Sequence, residues 1–236
     1  MIKIINADDF GYSPEFNKAI KICFKEGFIS STTIMMNMPY CNNAIEMAFK
    51  DGFETSVGLH FNLIEGQPLT QRIRKCERLC KDGLLSYKRN SVFFWSREEK
   101  LAIKEEFEAQ LYALIDSGIT PTHIDSHQHS HTELPIFNII KDSILDAGIN
   151  KIRLSRNVGI SKTRIFAKRI VNSYIRSFGF KTTRFFNDIS QPEINQSLDN
   201  IEIMCHPFLK NGIVVDAFRG IQINKQEDNI VNYNKI

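Results

Sequence analysis

The sequence lacks several features that would fix its class at once. It has no apolar run long enough to span a bilayer, and its opening, Met1-Ile2-Lys3-Ile4-Ile5-Asn6-Ala7-Asp8, meets an acid before a secretory h-region forms. The expectation is therefore a cytoplasmic protein with no membrane partner. Cysteine is sparse and unpaired in pattern. The count of five is odd, and the only close pair, Cys76 and Cys80, has no matching second pair, which argues for reduced thiols rather than a disulfide framework or a zinc ribbon. No Gly-rich phosphate loop, internal repeat or low-complexity tract is present. Charge of one sign is missing too. The 30 basic and 27 acidic residues leave a net +3, and the Lys and Arg are scattered rather than striped, so nucleic acid is not the expected partner.

What is present suits an ordinary folded domain. Hydrophobic residues at 42% supply a full core, and 236 residues fit one α/β domain spanning 1–236. Short apolar runs at Ile2 to Ile5, Thr32 to Met36, Ser56 to Phe61, Thr122 to Ile124, Lys151 to Leu154 and Ile201 to Cys205 read as buried strands. Helical patterns lie between them. Ser13-Pro14 and Gly27 bracket one, and Ser96-Arg97-Glu98-Glu99 opens another that Gly118 ends. Two more run from Leu134 to Ala147 and, strongly basic, from Ser161 to Phe178. Alternating strands and helices predict parallel strands with helical crossovers, in a barrel or an open doubly wound sheet. The stretch from Ile64 to Phe94 has no clear period, and its length suggests a functional loop or lid.

The ionisable residues cluster where such folds bind ligands, at the carboxyl ends of strands. Asp8 and Asp9 follow the first strand and His60 closes the third. His123-Ile124-Asp125-Ser126-His127-Gln128-His129-Ser130-His131 leaves the fourth, and His206 closes the last. Taken singly, each has an ordinary explanation. An Asp-Asp pair is a turn signal, and His60 or His206 could be a hydrogen-bonded core histidine. Arg153 and Arg156 could be surface residues, and the 18 phenylalanines are more simply core than a sugar platform. Taken together, all six histidines fall at strand ends, and the residue types are those that bind zinc or a similar ion. If the run from His123 to His131 stays extended, period two puts its four histidines and Asp125 on one face.

With these residues assembled, the chain resembles the YdjC/ChbG family of carbohydrate deacetylases. The landmarks are Ile5-Asn6-Ala7-Asp8-Asp9-Phe10-Gly11, Ser31-Thr32-Thr33, Gly58-Leu59-His60-Phe61-Asn62-Leu63, Gly66-Gln67-Pro68-Leu69, Pro121-Thr122-His123-Ile124-Asp125-Ser126-His127 and Glu202-Ile203-Met204-Cys205-His206-Pro207. They span about residues 2–208; after Pro207, Phe208-Leu209-Lys210 departs from the family pattern. The resemblance implies a distorted or incomplete TIM-like (β/α) barrel and hydrolysis of N-acetylated sugars or oligosaccharides. It implies one divalent ion, Zn²⁺ or Mg²⁺, held by Asp9, His60 and His127, with Asp8 as base and His206 as acid.

The chemistry of amide hydrolysis fits such a set, since it needs an activated water, a stabilised oxyanion and a proton for the leaving amine. Arg153 or Arg156 is expected to keep Asp8 ionised, and Asp125 or a backbone carbonyl to fix a histidine tautomer. His123, His129 and His131 are expected to support the ligands from behind or to line the sugar cleft. A metal-dependent phosphoesterase or isomerase on the same barrel, or a non-catalytic sugar-binding protein, are the competing readings, and a homodimer is open as an alternative to a monomer.

Overall fold

The first strand sets the architecture. β1 (Lys3–Phe10) is buried along its whole length, as a parallel strand covered on both faces must be. In this computed structural model, which describes residues 2–225 and 229–236, it leads into α1 (Pro14–Lys25). The Ser13 hydroxyl caps α1 by accepting from Phe16 N, Pro14 opens the helix, and Gly27 turns the chain away at a φ of 68°. β2 (Ser31–Ile34), α2 (Cys41–Asp51) and β3 (Val57–Phe61) follow. A small antiparallel hairpin, β4 (Cys80–Lys81) and β5 (Leu84–Leu85), precedes α3 (Arg97–Asp116), whose Ser96/Glu99 capping box is complete. Next come β6 (Ile124–Ser126), α4 (Leu134–Asp146), α5 (Lys162–Arg176) and β7 (Phe185–Asp188). The chain then forms α6 (Pro192–Ser197), β8 (Ile201–Cys205) and an antiparallel hairpin of β9 (Pro207–Lys210) and β10 (Ile213–Asp216). No described helix is long and apolar enough to cross a membrane.

Six strands make one parallel sheet in the order β6-β3-β2-β1-β8-β7. The sheet curls, because one buried guanidinium, that of Arg153, reaches carboxylates on β6, β1 and β8 at once. Beyond β6 the sheet continues only as isolated bridges, Ile124 to Ile152 and Lys151 to Lys181. The expected strand at Lys151 to Leu154 is thus a pair of bridges rather than a regular strand. A complete eight-stranded barrel is not formed among the described residues, so the architecture is an α/β fold with a curled parallel sheet.

Polar anchors hold the fold where sequence periodicity is silent. Glu106 on α3 is fully buried, and its carboxylate accepts from Leu69 N, Thr70 N, the Thr70 hydroxyl and Gln110 Nε2. Gln110 in turn exchanges two hydrogen bonds with the Asn62 backbone. The stretch after Ile64 is therefore tied to α3 and to the end of β3, instead of lying free as a lid. Near the other end of the chain, Val231 N donates to Lys3 O, and Tyr233 stacks on His123 with ring centroids 3.5 Å apart. Gly58 permits that packing, since a Cβ there would lie 2.6 Å from the His123 ring and carbonyl.

Candidate metal and active site

The site begins with a break in β1. Its register with β2 shifts between Ala7 and Phe10, and Asp9 takes a φ of 65°, a left-handed conformation that non-glycine residues rarely adopt. The kink separates two consecutive carboxylates. Asp9 turns toward the histidines, with Oδ1 lying 3.2 Å from His60 Nε2 and 2.9 Å from His127 Nδ1. Asp8 turns toward Arg153, accepting at 2.6 and 2.7 Å, and accepts from Asn6 Nδ2 at 2.9 Å.

The surroundings fix each ring. His60 Nδ1 lies 2.7 Å from Asp125 Oδ1 and 3.1 Å from the Thr33 hydroxyl, which itself donates to Asp125 Oδ2 at 3.0 Å. That arrangement leaves His60 Nε2 facing Asp9, as in carboxylate–histidine–metal pairs. His127 Nε2 lies 2.9 Å from Glu65 Oε1, and the Tyr12 hydroxyl donates to Glu65 Oε2 at 3.0 Å. Asp9, His60 and His127 are all buried, and one ligand atom from each falls within a 4.8 Å cluster. One carboxylate and two imidazoles form a donor set suited to zinc or a similar ion.

Buried carboxylates set the charge balance of the site. Burial opposes charge on His60, yet Asp125, Asp9 and Asp8 outweigh it and push His60 up to about 10. Burial likewise opposes charge on His127, but Asp9 and Glu65 raise it to about 9. For Asp8, burial favours the neutral acid, and the Arg153 guanidinium more than reverses that, holding the carboxyl below the usual carboxylate range. Arg153 also meets Asp125 Oδ2 at 2.7 Å and Glu202 Oε1 at 2.6 Å. A single guanidinium thus serves three carboxylates.

His206 follows β8 and faces Asp8 from the other side, with Nε2 lying 4.0 Å from Asp8 Oδ2. Its Nδ1 is 3.6 Å from Asp216 Oδ2, and its backbone N donates to the same oxygen at 2.8 Å. Burial lowers the His206 pKa, but Asp216, Asp8 and Asp9 together bring it above the ordinary imidazole value. Asp8, Asp9, His60, His127 and His206 all line one cavity of about 820 Å³.

Other expected residues lie elsewhere. The histidine run does not stay extended, because Gln128 and His129 adopt left-handed φ of 52° and 58° inside a tight turn at 127–132, which scatters the side chains. His129 does line the cavity, edge-on to Phe186. His131 is buried, bonded to the Ser126 hydroxyl and the Arg153 carbonyl, so its expected place in the cleft is corrected. His123 precedes β6 and lies outside the cavity, stacked on Tyr233. Arg156 contacts the Val158 carbonyl and Gln191 rather than Asp8, so Arg153 is the arginine that pairs with that carboxylate.

Glu65, Asp216 and Glu202 were not anticipated. Glu65 sits directly before the Gly66-Gln67-Pro68-Leu69 landmark, and Glu202 is an acid inside an otherwise apolar strand, so each carried a readable signal. Asp216 carried none.

A curled parallel α/β sheet with a buried carboxylate–imidazole cluster at its carboxyl edge, open to a cavity, defines a recognisable class of α/β proteins with a candidate metal site. Within that class, the chain belongs to the family of YdjC-like proteins, whose model matches residues 4–233. It is 30% identical over 209 residues to a carbohydrate deacetylase of Clostridium beijerinckii, covering 86% of this chain and 80% of that one. With a carbohydrate deacetylase of Geobacillus stearothermophilus it shares 32% over 206 residues, covering 86% and 78%. With a chitooligosaccharide deacetylase of Citrobacter koseri it shares 31% over 228 residues, covering 91% and 85%. A crystal structure of a candidate cellobiose-phosphate cleavage protein from Enterococcus faecalis shares the fold, at 22% identity and a TM-score of 0.71 over 89% of this chain and 82% of that one.

Proposed function

We propose that this chain is a metal-dependent hydrolase that removes acetyl groups from N-acetylated sugars or oligosaccharides. The observation that carries the reading is the divergence of Asp8 and Asp9. One carboxylate joins two imidazoles, while its neighbour stands beside the cluster, clamped by Arg153 and facing His206. Metal binding alone needs the first carboxylate; a second, separately oriented one is what proton transfer requires. The names of the relatives supply the substrate class.

Asp9, His60 and His127 would hold the ion. When bound, it supplies Lewis acidity toward the acetyl carbonyl and toward water. The remaining work falls to the chain. Asp8, kept ionised and aimed by Arg153, takes the proton of the attacking water. His206, with Asp216 at its Nδ1 side, presents Nε2 to the cavity and gives its proton to the departing nitrogen. Asp125 fixes the His60 ring and shares Arg153 with Asp8, tying the two halves together. Arg153 itself is fully buried among carboxylates, so it offers no free face to a phosphoryl group, which weighs against the phosphoesterase alternative.

The test is acetate release from N-acetylglucosamine oligomers by the purified protein, before and after chelation and after return of Zn²⁺ or Mg²⁺. Activity lost on chelation and restored by the ion is expected. No acetate from any N-acetylated sugar, or acetate release unaffected by chelation, overturns the reading.

A further inference from the structure

The cavity wall farthest in character from the buried cluster comes from the segment after Pro207, where the family pattern departs. Phe208, Lys210, Val215, Ala217 and Phe218 from the β9–β10 hairpin and its following turn line that wall. The turn is built rather than loose. The Asp216 carboxylate accepts from Phe218 N at 3.1 Å and Arg219 N at 2.9 Å through one oxygen, and from His206 N at 2.8 Å through the other. Asp216 N donates to Ile221 O and Gly220 N to Asp216 O, and Ala217 N donates to His206 O. The same carboxylate therefore positions His206 and presents the Phe218 ring.

Phe218 is 66% exposed, an unusual state for phenylalanine so firmly placed. Its ring and that of His206 lie perpendicular, with centroids 4.6 Å apart and an interplanar angle of 90°. Elsewhere on the wall, Tyr12, Phe16 and Phe208 form a chain of edge contacts at 5.3 and 5.4 Å. The cavity, at about 820 Å³, is near the upper end of the ~300–1,000 Å³ usual for small-ligand sites and extends beyond the reacting centre. A pyranose ring has an apolar C–H face and a polar rim, which suits an exposed aromatic ring in a cavity wall that also carries Lys210.

We propose that Phe218, held by the Asp216 turn, is a stacking platform for a second sugar ring, so that this segment selects oligosaccharides over the monosaccharide. The proposal rests on the sugar deacetylase reading above and deepens it. A ring seated there continues the chain from the residue whose acetamide lies between Asp8 and His206.

The experiment compares wild type, Phe218→Ala and Phe218→Trp on N-acetylglucosamine and on its β-1,4-linked trimer, with thermal melting to confirm that the variants are folded. Phe218→Ala is expected to raise KM for the trimer roughly 5- to 10-fold more than for the monosaccharide, with kcat for the trimer changing much less. Phe218→Trp should restore trimer affinity. Equal effects on both substrates, or no effect on either, overturn the proposal. Should wild type release no acetate at all, the deacetylase reading falls. Calorimetric binding of the trimer then decides the subsite, with roughly 5-fold or greater weakening in Phe218→Ala supporting it and equal affinities overturning it.

Discussion

His60 and His131 are both fully buried imidazoles near the carboxyl edge of one sheet, yet they sit in opposite environments. Around His60 stand Asp9, Asp125 and Asp8, which push it up to about 10. Around His131 stand the Ser126 hydroxyl, the Arg153 carbonyl and the positive Arg153 side chain; burial leads, and the ring falls to about 3. Burial lowers a histidine in both places. What differs is the carboxylates, and they mark out the ring that can share a cation from the ring that only completes a hydrogen-bond network. The comparison teaches that histidine count and strand-end position are insufficient signals, and that the partners of each ring decide its role.

Asp9→Ala, His60→Ala or His127→Ala each removes one of three protein ligands, so bound metal falls and turnover drops by roughly 10³-fold or more, read by elemental analysis and acetate release. Full metal occupancy in one variant removes that residue from the ligand set. Asp8→Asn keeps the metal but cannot accept the water's proton, so a loss of roughly 10²- to 10⁴-fold in kcat is expected. Near-normal acetate release by the metal-loaded variant refutes its role as base. His206→Ala should slow amide hydrolysis by roughly 10²-fold while sparing an activated aryl acetate, which leaves without protonation. Proportional losses on both substrates would show that His206 only supports the site.

The smallest effect concerns pH and His131. Its folded-state pKa is depressed, so between about 3 and the unfolded value of 6.5 the unfolded chain binds the extra proton. The stability it contributes is complete above 6.5 and is lost as pH falls toward 3. His131→Gln should therefore flatten that part of the acid limb in denaturation curves. An unchanged acid limb contradicts the assignment.

Much of this was legible in the sequence because it is local. The capping box at Ser96, the Ser13-Pro14 helix start and the apolar runs of β1, β2, β3, β6 and β8 are dictated by neighbours along the chain. Strand ends grouped Asp8 and Asp9 with all six histidines, and only the resemblance to the YdjC family singled out Asp9, His60 and His127 as ligands with Asp8 and His206 beside them. α2 escaped because its N-cap, Tyr40, makes no side-chain cap bond and its buried residues are only Ala44 and Ala48. β7 escaped because Asn187 and Asp188 interrupt its apolar pattern.

The run from His123 to His131 misled because no periodicity announces the left-handed turn at Gln128 and His129. Asp216 and Glu65 reach the site only through tertiary folding, from the second hairpin and from the stretch held by Glu106. Composition points the phenylalanines to the core, which holds for Phe10, Phe61 and Phe107 but not for Phe218.

The most direct test of the account is the metal content of wild type, His127→Ala and His131→Gln, purified and loaded side by side with Zn²⁺ or Mg²⁺. The two substituted histidines lie four residues apart in one turn, so loss of fold or of local order would affect both. One ion per chain is expected in wild type and in His131→Gln, with little in His127→Ala. Equal occupancy in the two variants, or no bound ion in wild type, would contradict it.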